Sequence, residues 1–388
     1  MNKDAPPSSK KRPAQNVDGN ELSKQGQGQG QGQSALSPAS LNTLVKNKAC
    51  ELGFAHCGIS DTDLGEHETH LLNWLNAGYH GTMDYMQRHG VKRSRPADLL
   101  PGTIRVISVR MDYFPPDTQD PWAVLKDASK AYISRYALGR DYHKVLRNRL
   151  QKLANLISEE FGEFGYRAFV DSAPVLEKAL AQKAGLGWIG KHSNLLSKDA
   201  GSWFFLGELY TNLPVAVDEV QPKSHCGSCS ACIQACPTQA IVAPYQVDAR
   251  RCISYHTIEL KGPIPIEFRK AMGNRIYGCD DCQLVCPFNK FSSPSAEIDF
   301  TARHALDSRS LIELFTWDEQ TFKTNMAGSP IYRIGHERWL RNIAVALGNA
   351  ASTPEVVASL EQRRCDSSAL VQEHVQWALA QHVGLKTD

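Results

Sequence analysis

Apolar and polar positions change period along this chain, and the changes mark its elements. Leu41, Leu44 and Val45, followed by Lys48, begin a helical period that stops at Gly53. A second helical stretch covers 67–76 and stops at Gly78. Residues 103–114 (T-I-R-V-I-S-V-R-M-D-Y-F) alternate and are rich in β-branched side chains, which predicts a strand closed by Pro115-Pro116. From Tyr142 to Ile157, Leu146, Leu150, Leu153 and Ile157 recur at spacings of four, three and four, the signature of one apolar helix face. A short strand over 166–170 then delivers Asp171 to its end, 177–183 reads as a helix, and 202–210 (S-W-F-F-L-G-E-L-Y) is the most apolar strand of the chain. Beyond about 300 the pattern is helical, with Leu340, Ile343 and Leu347 on one face. A shift of 32 residues lays Val375, Ala378 and Leu379 on Ile343, Ala346 and Leu347. So short a repeat cannot stand alone and is expected to pack on the preceding domain.

The fold class expected is α+β in four parts: a tail over 1–39, an α/β domain over 40–220, a cysteine-bearing domain over 221–295 and a helical extension over 296–388. The tail is polar, carries a G-Q-G-Q-G-Q-G-Q tract and has only Val17, Leu22 and Leu36 as large aliphatics. It is read as disordered, because it cannot bury enough surface to offset the entropy of ordering. It has no apolar stretch of the secretory kind. No run of some 18 apolar residues occurs, so no membrane partner is expected and the cytoplasm is the expected location. The 388 residues are 42% hydrophobic and 22% charged with a net charge of +2, and mean hydropathy is −0.37. A polyanionic partner is permitted by these values and would have to be met by local patches.

The cysteines carry the sharpest chemistry. C-G-S-C-S-A-C-I-Q-A-C-P runs from Cys226 to Pro237, and C-D-D-C-Q-L-V-C-P from Cys279 to Pro287. The first is the C-x2-C-x2-C-x3-C-P run of two-cluster ferredoxins, whose fourth cysteine ligates the other cluster. The second run is one ligand short, and Cys252 in R-R-C-I-S-Y-H is the candidate to complete it. Cys226, Cys229, Cys232 and Cys286 are therefore assigned to one [4Fe-4S] cluster, and Cys236, Cys252, Cys279 and Cys282 to the other. Structural zinc is the alternative, since it also takes C-x2-C pairs, but this run is not its usual spacing. Cys50, Cys57 and Cys365 form no ligand spacing and read as free thiols.

Other features are weaker alone. G-L-G-W-I-G at Gly185–Gly190 follows a helical stretch rather than a strand, which argues against a dinucleotide site. Its glycines are expected to let backbone approach a flat ligand. Asp171, in F-V-D-S-A-P, is either a capping carboxylate or an acid at a site, whereas Asp141, in G-R-D-Y-H-K, sits where a helix begins and is expected to cap it. Arg88, Lys92, Arg93 and Arg95, with Lys144, Arg147 and Lys152, could contact phosphates or simply be solvated.

Longer stretches carry a family likeness. S-R-Y-A-L-G-R-D-Y-H-K-V-L, F-V-D-S-A-P-V-L-E-K, K-A-G-L-G-W-I-G-K-H-S, R-R-C-I-S-Y-H-T-I-E-L-K-G and Y-G-C-D-D-C-Q-L-V-C-P resemble the epoxyqueuosine reductase family from about Leu41 to at least Phe291. The resemblance implies a corrinoid-binding α/β domain like that of the reductive dehalogenases, a ferredoxin-like domain with two [4Fe-4S] clusters and a HEAT-like helical extension. It implies cobalamin as cofactor, tRNA carrying epoxyqueuosine as substrate and an external low-potential electron donor. By the same resemblance Asp171 is the proton donor, its pKa expected to be raised by burial beside the corrin. Arg93, Ser134, Asp171, Lys191, Ser193, Ser254 and Asp280 lie in segments expected to line the corrinoid pocket. A corrinoid reductase of a small molecule and an electron-carrying ferredoxin subunit remain the rival readings.

Overall fold

The computed structural model describes residues 36–218 and 223–382. Of the expected tail only 36–39 fall among them, and the boundary drawn at 220/221 lies outside the described residues.

A four-stranded sheet organises the first domain. Its strands are β1 (His56–Ser60), β2 (Arg105–Asp112), β3 (Tyr166–Phe169) and β4 (Phe204–Thr211), in the order β1-β2-β4-β3 with every neighbouring pair antiparallel. Successive strand residues face opposite sides, and each side takes helices. On one side lie α1 (Pro38–Glu51) and α2 (Tyr142–Phe161). Leu146, Leu150, Leu153 and Ile157 of α2 are fully buried there with Leu41 and Val45 of α1 and Ile107, Val109 and Leu209 of the sheet. Each such aliphatic contributes about 1.5–3 kcal/mol by leaving water. Asp141 caps α2 by accepting the amide of His143, and Gly162, at φ +103, ends it. The other side is covered by α3 (Glu177–Lys183).

Strand β1 was not anticipated from the pattern: H-C-G-I-S is short and has a glycine at its centre. The glycines of G-L-G-W-I-G also serve a different end from the one expected. A Cβ at Gly187 would lie 2.0 Å from the Leu196 carbonyl oxygen, so the glycine lets Trp188–Ile189 pair with Leu195–Leu196. The close approach is to the chain's own backbone.

The C-terminal helices α4 (Gly335–Gly348), α5 (Pro354–Glu361) and α6 (Ala369–Gln381) pack on what precedes them. Trp339, Ile343 and Leu347 share a core with Ile133 and Tyr277. Arg341 of α4, 0% exposed, donates to the carbonyls of His256, Leu260 and Gly262, while Asn342 reaches those of Thr257 and Ile276. These bonds brace the segment Tyr255–Glu259, which directly follows Cys252 and Ser254.

Candidate active site

Asp171 opens the loop after β3, and the first turn of α2 comes to meet it. Tyr142 Oη donates to Asp171 Oδ2 at 2.5 Å, and His143 Nε2 lies 2.6 Å from Asp171 Oδ1. The other ring nitrogen of His143, Nδ1, lies 2.6 Å from Asp141 Oδ1. The stack of Tyr142 between His143 (4.2 Å) and Phe205 (4.0 Å) holds both rings in place. A histidine between two carboxylates keeps both N–H bonds as donors and is therefore the imidazolium. Burial pulls its pKa down, but the hydrogen bonds to Asp141 and Asp171 override burial and set it at about 9.

This arrangement corrects the expectation of a raised Asp171. Burial does push its carboxyl up, yet the hydrogen bond and charge of His143, the Tyr142 hydroxyl and the charge of Arg333 bring it below the ordinary carboxylate value. The proton expected on Asp171 resides on its neighbour. Asp141 does cap α2, as expected, and also holds that neighbour in place.

Two further carboxylates stand behind Asp171. Burial, with Asp171 adding to it, raises Glu177 to about 8. Burial raises Glu208 well above its ordinary value too, helped by Glu177 and Asp171, and neither of its oxygens has a partner within the protein. Neither had been singled out. The signal for Glu208 was in plain view, as the lone acid in the most apolar strand.

A cavity of about 400 Å³ runs from Asp171, Tyr142 and Glu177 to Cys236, Cys252, Cys279 and Cys282. Phe204, Leu206, Ile241 and Ile253 supply apolar wall. His192, another residue missed, lines it as well: Nδ1 accepts the Asn194 amide, which leaves the proton on a buried Nε2 without a protein partner. Burial and then Lys178 depress His192 to about 4, so it is a neutral donor.

The eight thiols fall into two neighbourhoods. Beyond burial, Cys232 is affected by Cys226, Cys286 and Cys229, and Cys286 by Cys226 and Cys229. Likewise Cys252 is affected by Cys236, Cys279 by Cys252, and Cys282 by Cys252 and Cys236. Cys232 is also a neighbour of Cys282, so the sets adjoin.

Of the residues expected along a corrinoid, Ser134, Asp171, Ser193, Ser254 and Asp280 line the cavity. Asp280 is 1% exposed and accepts from Ser134 Oγ (2.5 Å), Tyr132 Oη (2.8 Å) and the Arg135 amide (2.8 Å). Arg93 and Lys191 are not part of the lining. Arg93 is buried and donates to the Tyr85 carbonyl, and Lys191 Nζ holds the carbonyls of Gly227 and Cys229 at 2.6 and 2.8 Å. In the basic segment Arg95 is forked onto Glu68, whereas Arg88 and Lys92 are exposed. Lys144, Arg147 and Lys152 are exposed on α2.

Residues 225–289 match the family model described as a 4Fe-4S double cluster binding domain. With the acid-lined cavity beside it, this places the chain among the iron–sulfur oxidoreductases. Residues 93–172 match a second model, "Epoxyqueuosine reductase QueG, DUF1730". The epoxyqueuosine reductase of Pseudomonas aeruginosa is 60% identical over 345 residues, 89% of this chain and 95% of that protein. That of Escherichia coli K12 is 55% identical over 349 residues, covering 89% and 91%. The chain belongs to the epoxyqueuosine reductase family. The crystal structure of a family enzyme with an epoxyqueuosine-modified tRNA-Tyr stem loop superposes with a TM-score of 0.82 at 27% identity, covering 89% of this chain and 91% of that one. The Bacillus subtilis enzyme, captured with its catalytic aspartate loop swung out of the active site, gives 0.81 at 26% identity and the same coverage. Among the described residues no helix is long and apolar enough to cross a membrane.

Proposed function

We propose that this chain reduces epoxyqueuosine to queuosine in tRNA, with Asp171 delivering the proton and the eight cysteines holding two [4Fe-4S] clusters. The observation that carries the reading is the single cavity joining Asp171 to four of those cysteines, because it joins a proton source to an electron source. Cys226, Cys229, Cys232 and Cys286 hold one cluster, and Cys236, Cys252, Cys279 and Cys282 the one at the cavity. An external low-potential donor feeds them, and the reaction belongs to the cytoplasm, where tRNA is.

The cavity's residues fit a corrinoid. Apolar walls suit a flat macrocycle, the orphaned His192 Nε2–H offers it a hydrogen bond, and Ser193, Ser254 and Ser134 lie along its length. Asp280, itself in the lining, ties Ser134 to the cluster segment, and Lys191 and Arg93 act behind the lining, holding the loops that form it. Bound there, cobalamin would supply a low-potential centre that gathers the clusters' single electrons for a two-electron reduction. The chain's own task is the proton. An alkoxide leaves poorly near neutral pH, and a positioned acid is worth about 10²–10⁴ in rate. The His143 imidazolium gives its proton through Asp171, which it touches, to the epoxide oxygen, while Asp141 and Tyr142 fix the geometry. The corrinoid-binding domain spans 40–220, the cluster domain 221–295, and 296–388 forms a HEAT-like brace for the Cys252 segment. Exposed Arg88, Lys92, Lys144, Arg147 and Lys152 offer phosphate contacts.

The test is anaerobic, cluster-loaded protein with cobalamin, a reductant and tRNA bearing epoxyqueuosine, scored by the mass of the released nucleoside. Loss of one oxygen is expected. Unchanged substrate beside a cobalamin-loaded spectrum refutes the substrate, and a spectrum indifferent to added cobalamin refutes the cofactor.

A further inference from the structure

The face of the sheet beneath α3 carries polar groups that the reduction just described leaves unexplained. On β4, Phe204, Leu206, Glu208 and Tyr210 share this face, since side chains alternate along a strand. Two apolar clusters cover it. Val106, Leu180 and Tyr210 belong to one, and Phe204, Leu206 and Ala181 to the other. Glu208 stands at the seam between them. Directly opposite Glu208 on β2 is Ser108, and Ser60 on β1 lies opposite Val106, two residues further along. Ser60, Ser108, Glu208 and Tyr210 are 2%, 0%, 0% and 0% exposed. The three hydroxyls, both Glu208 oxygens and Oε2 of Glu177 have no partner within the protein.

So many orphans on one face call for a cause, because buried polar groups are almost always paired with protein or with water. A buried water takes two to four polar neighbours, and these groups supply them in a row. The row has two ends. Glu177, on the first turn of α3, lines the cavity with Asp171. At the other end of α3, Lys183 pairs at 2.5 Å with the half-exposed Asp61, the residue after Ser60.

We propose that Glu208 and Glu177, joined by water held on Ser108, Tyr210 and Ser60, form a proton store that returns a proton to the Asp171–His143 pair after each reduction. The step balances without an electron. The His143 proton passes through Asp171 to the substrate oxygen, Glu177 returns one to the Asp171–His143 pair, Glu208 gives one to Glu177, and solvent near Asp61 refills Glu208. A path from behind is useful because the front of Asp171 faces cofactor and substrate. The charges around the store suit it. Glu177 and Asp171 are the ionisable neighbours that act on Glu208, and both disfavour its ionised form. Glu177 in turn faces Asp171, Lys178 and His143. Arg110, further along β2 on this face, is committed to Ser197 and Asp112. Burial and these neighbouring carboxylates both favour the protonated form of Glu208, and Glu177 is raised to about 8.

This inference rests on the proposed function for its role, but its first test does not. Infrared difference spectra of the cluster-loaded protein, wild type minus Glu208→Gln, should show the carbonyl stretch of a protonated carboxylic acid at neutral pH. No such band overturns the store, whatever the substrate proves to be. The second test is turnover. Glu208→Gln should leave the first turnover of pre-reduced enzyme near the wild-type rate, slow repeated turnover about tenfold or more and raise its solvent isotope effect. Glu208→Asp, which keeps a titratable group, should recover most of the loss. Equal damage from Gln and Asp means that Glu208 only fills space, and wild-type kinetics in the Gln variant mean that it carries no proton. Either result overturns the proposal. Should Glu208→Gln fail to fold, Tyr210→Phe, which removes one hydroxyl of the store and lies outside the cavity lining, carries the turnover measurements. A wild type that shows the band but leaves the epoxide intact would remove the proposed function and spare the store.

Discussion

Asp141→Asn isolates the charge that keeps a proton beside Asp171. The amide oxygen can still accept from the His143 backbone and from Nδ1, so the α2 cap and the geometry persist. What disappears is one negative charge 2.6 Å from the ring. An opposite charge this close is worth about 1–3 pKa units, so His143 should fall from about 9 by roughly that amount. The sign in stability follows. The folded pKa of His143, about 9, lies above its ordinary 6.5, so the stabilisation it contributes is complete below 6.5 and is lost as pH rises through about 9. The variant should therefore be less stable than wild type by about 1.4–4 kcal/mol in mild acid, and the two should converge as pH passes about 9. Melting curves across this range measure the gap. Single-turnover reduction measured over the same range should lose rate on the alkaline side near 9 in wild type and at lower pH in the variant. A gap in melting temperature that does not change with pH would show that Asp141 is only a cap. An unmoved alkaline limb would show that His143 does not hold the transferred proton.

Three further outcomes are expected. Asp171→Asn is nearly isosteric and should keep fold and clusters while single-turnover reduction falls by about 10²–10⁴; undiminished turnover would remove the carboxylate from the chemistry. Cys252→Ser should cost about half of the iron, measured by iron and sulfide analysis of anaerobic protein, because one cubane loses its fourth cysteine; full iron content would make Cys252 a bystander. Arg341→Met should destabilise by about 2–3 kcal/mol, since the buried His256 carbonyl and the partly buried carbonyls of Leu260 and Gly262 lose their donor. The damage should appear first as lability of the cluster served by Cys252, and a variant with wild-type melting and cluster spectra would show that α4 does not brace that segment.

The regular elements were legible because their signals are local. Leu146, Leu150, Leu153 and Ile157 fix the face of α2 whatever else is present, and residues 67–76 and 177–183 were bounded by the same kind of signal. Strand β1 was illegible because it is only five residues long, with Gly58 and Ser60 carrying little strand preference and Ile59 as its one strong strand former. A Cβ at Gly58 would lie 2.0 Å from the Ala184 carbonyl oxygen, so its identity answers to a helix 126 residues away, which no window contains. The site divides in the same way. Cysteine spacing announces itself along the chain, and so does Asp171 at a strand end. His143 did not, because its role depends on Asp141 and Asp171 approaching it from opposite sides, and only the packing of α2 against β3 brings that about. The state of Asp171 was misjudged for the same reason: burial can be read from an apolar strand, but a cationic partner 28 residues upstream cannot.

The remaining question is what keeps the proton side and the electron side in register, since they come from different parts of the chain. Asp171, His143 and Glu208 ride on the sheet and its helices, while four cavity thiols belong to 236–282. Asp280 is the joint. It stands between Cys279 and Asp281, and all three of its bonds come from residues 132–135 of the first domain. Burial raises its carboxyl, and the bonds from Ser134, the Arg135 amide and Tyr132 offset much of that cost. The next residue, Asp281, turns the other way, pairing with Arg275 at 2.5 Å. Adjacent carboxylates thus anchor one turn from two sides, and that turn carries Cys279 and Cys282. Gly278 must be a glycine for this to close, since it sits at φ +70 and a Cβ there would come 2.5 Å from Ser134 Cβ. A buried carboxylate with three donors from another domain has few alternative arrangements of comparable energy. The distance from cluster to acid is therefore set by a polar contact whose geometry is specific rather than by apolar packing, which tolerates sliding.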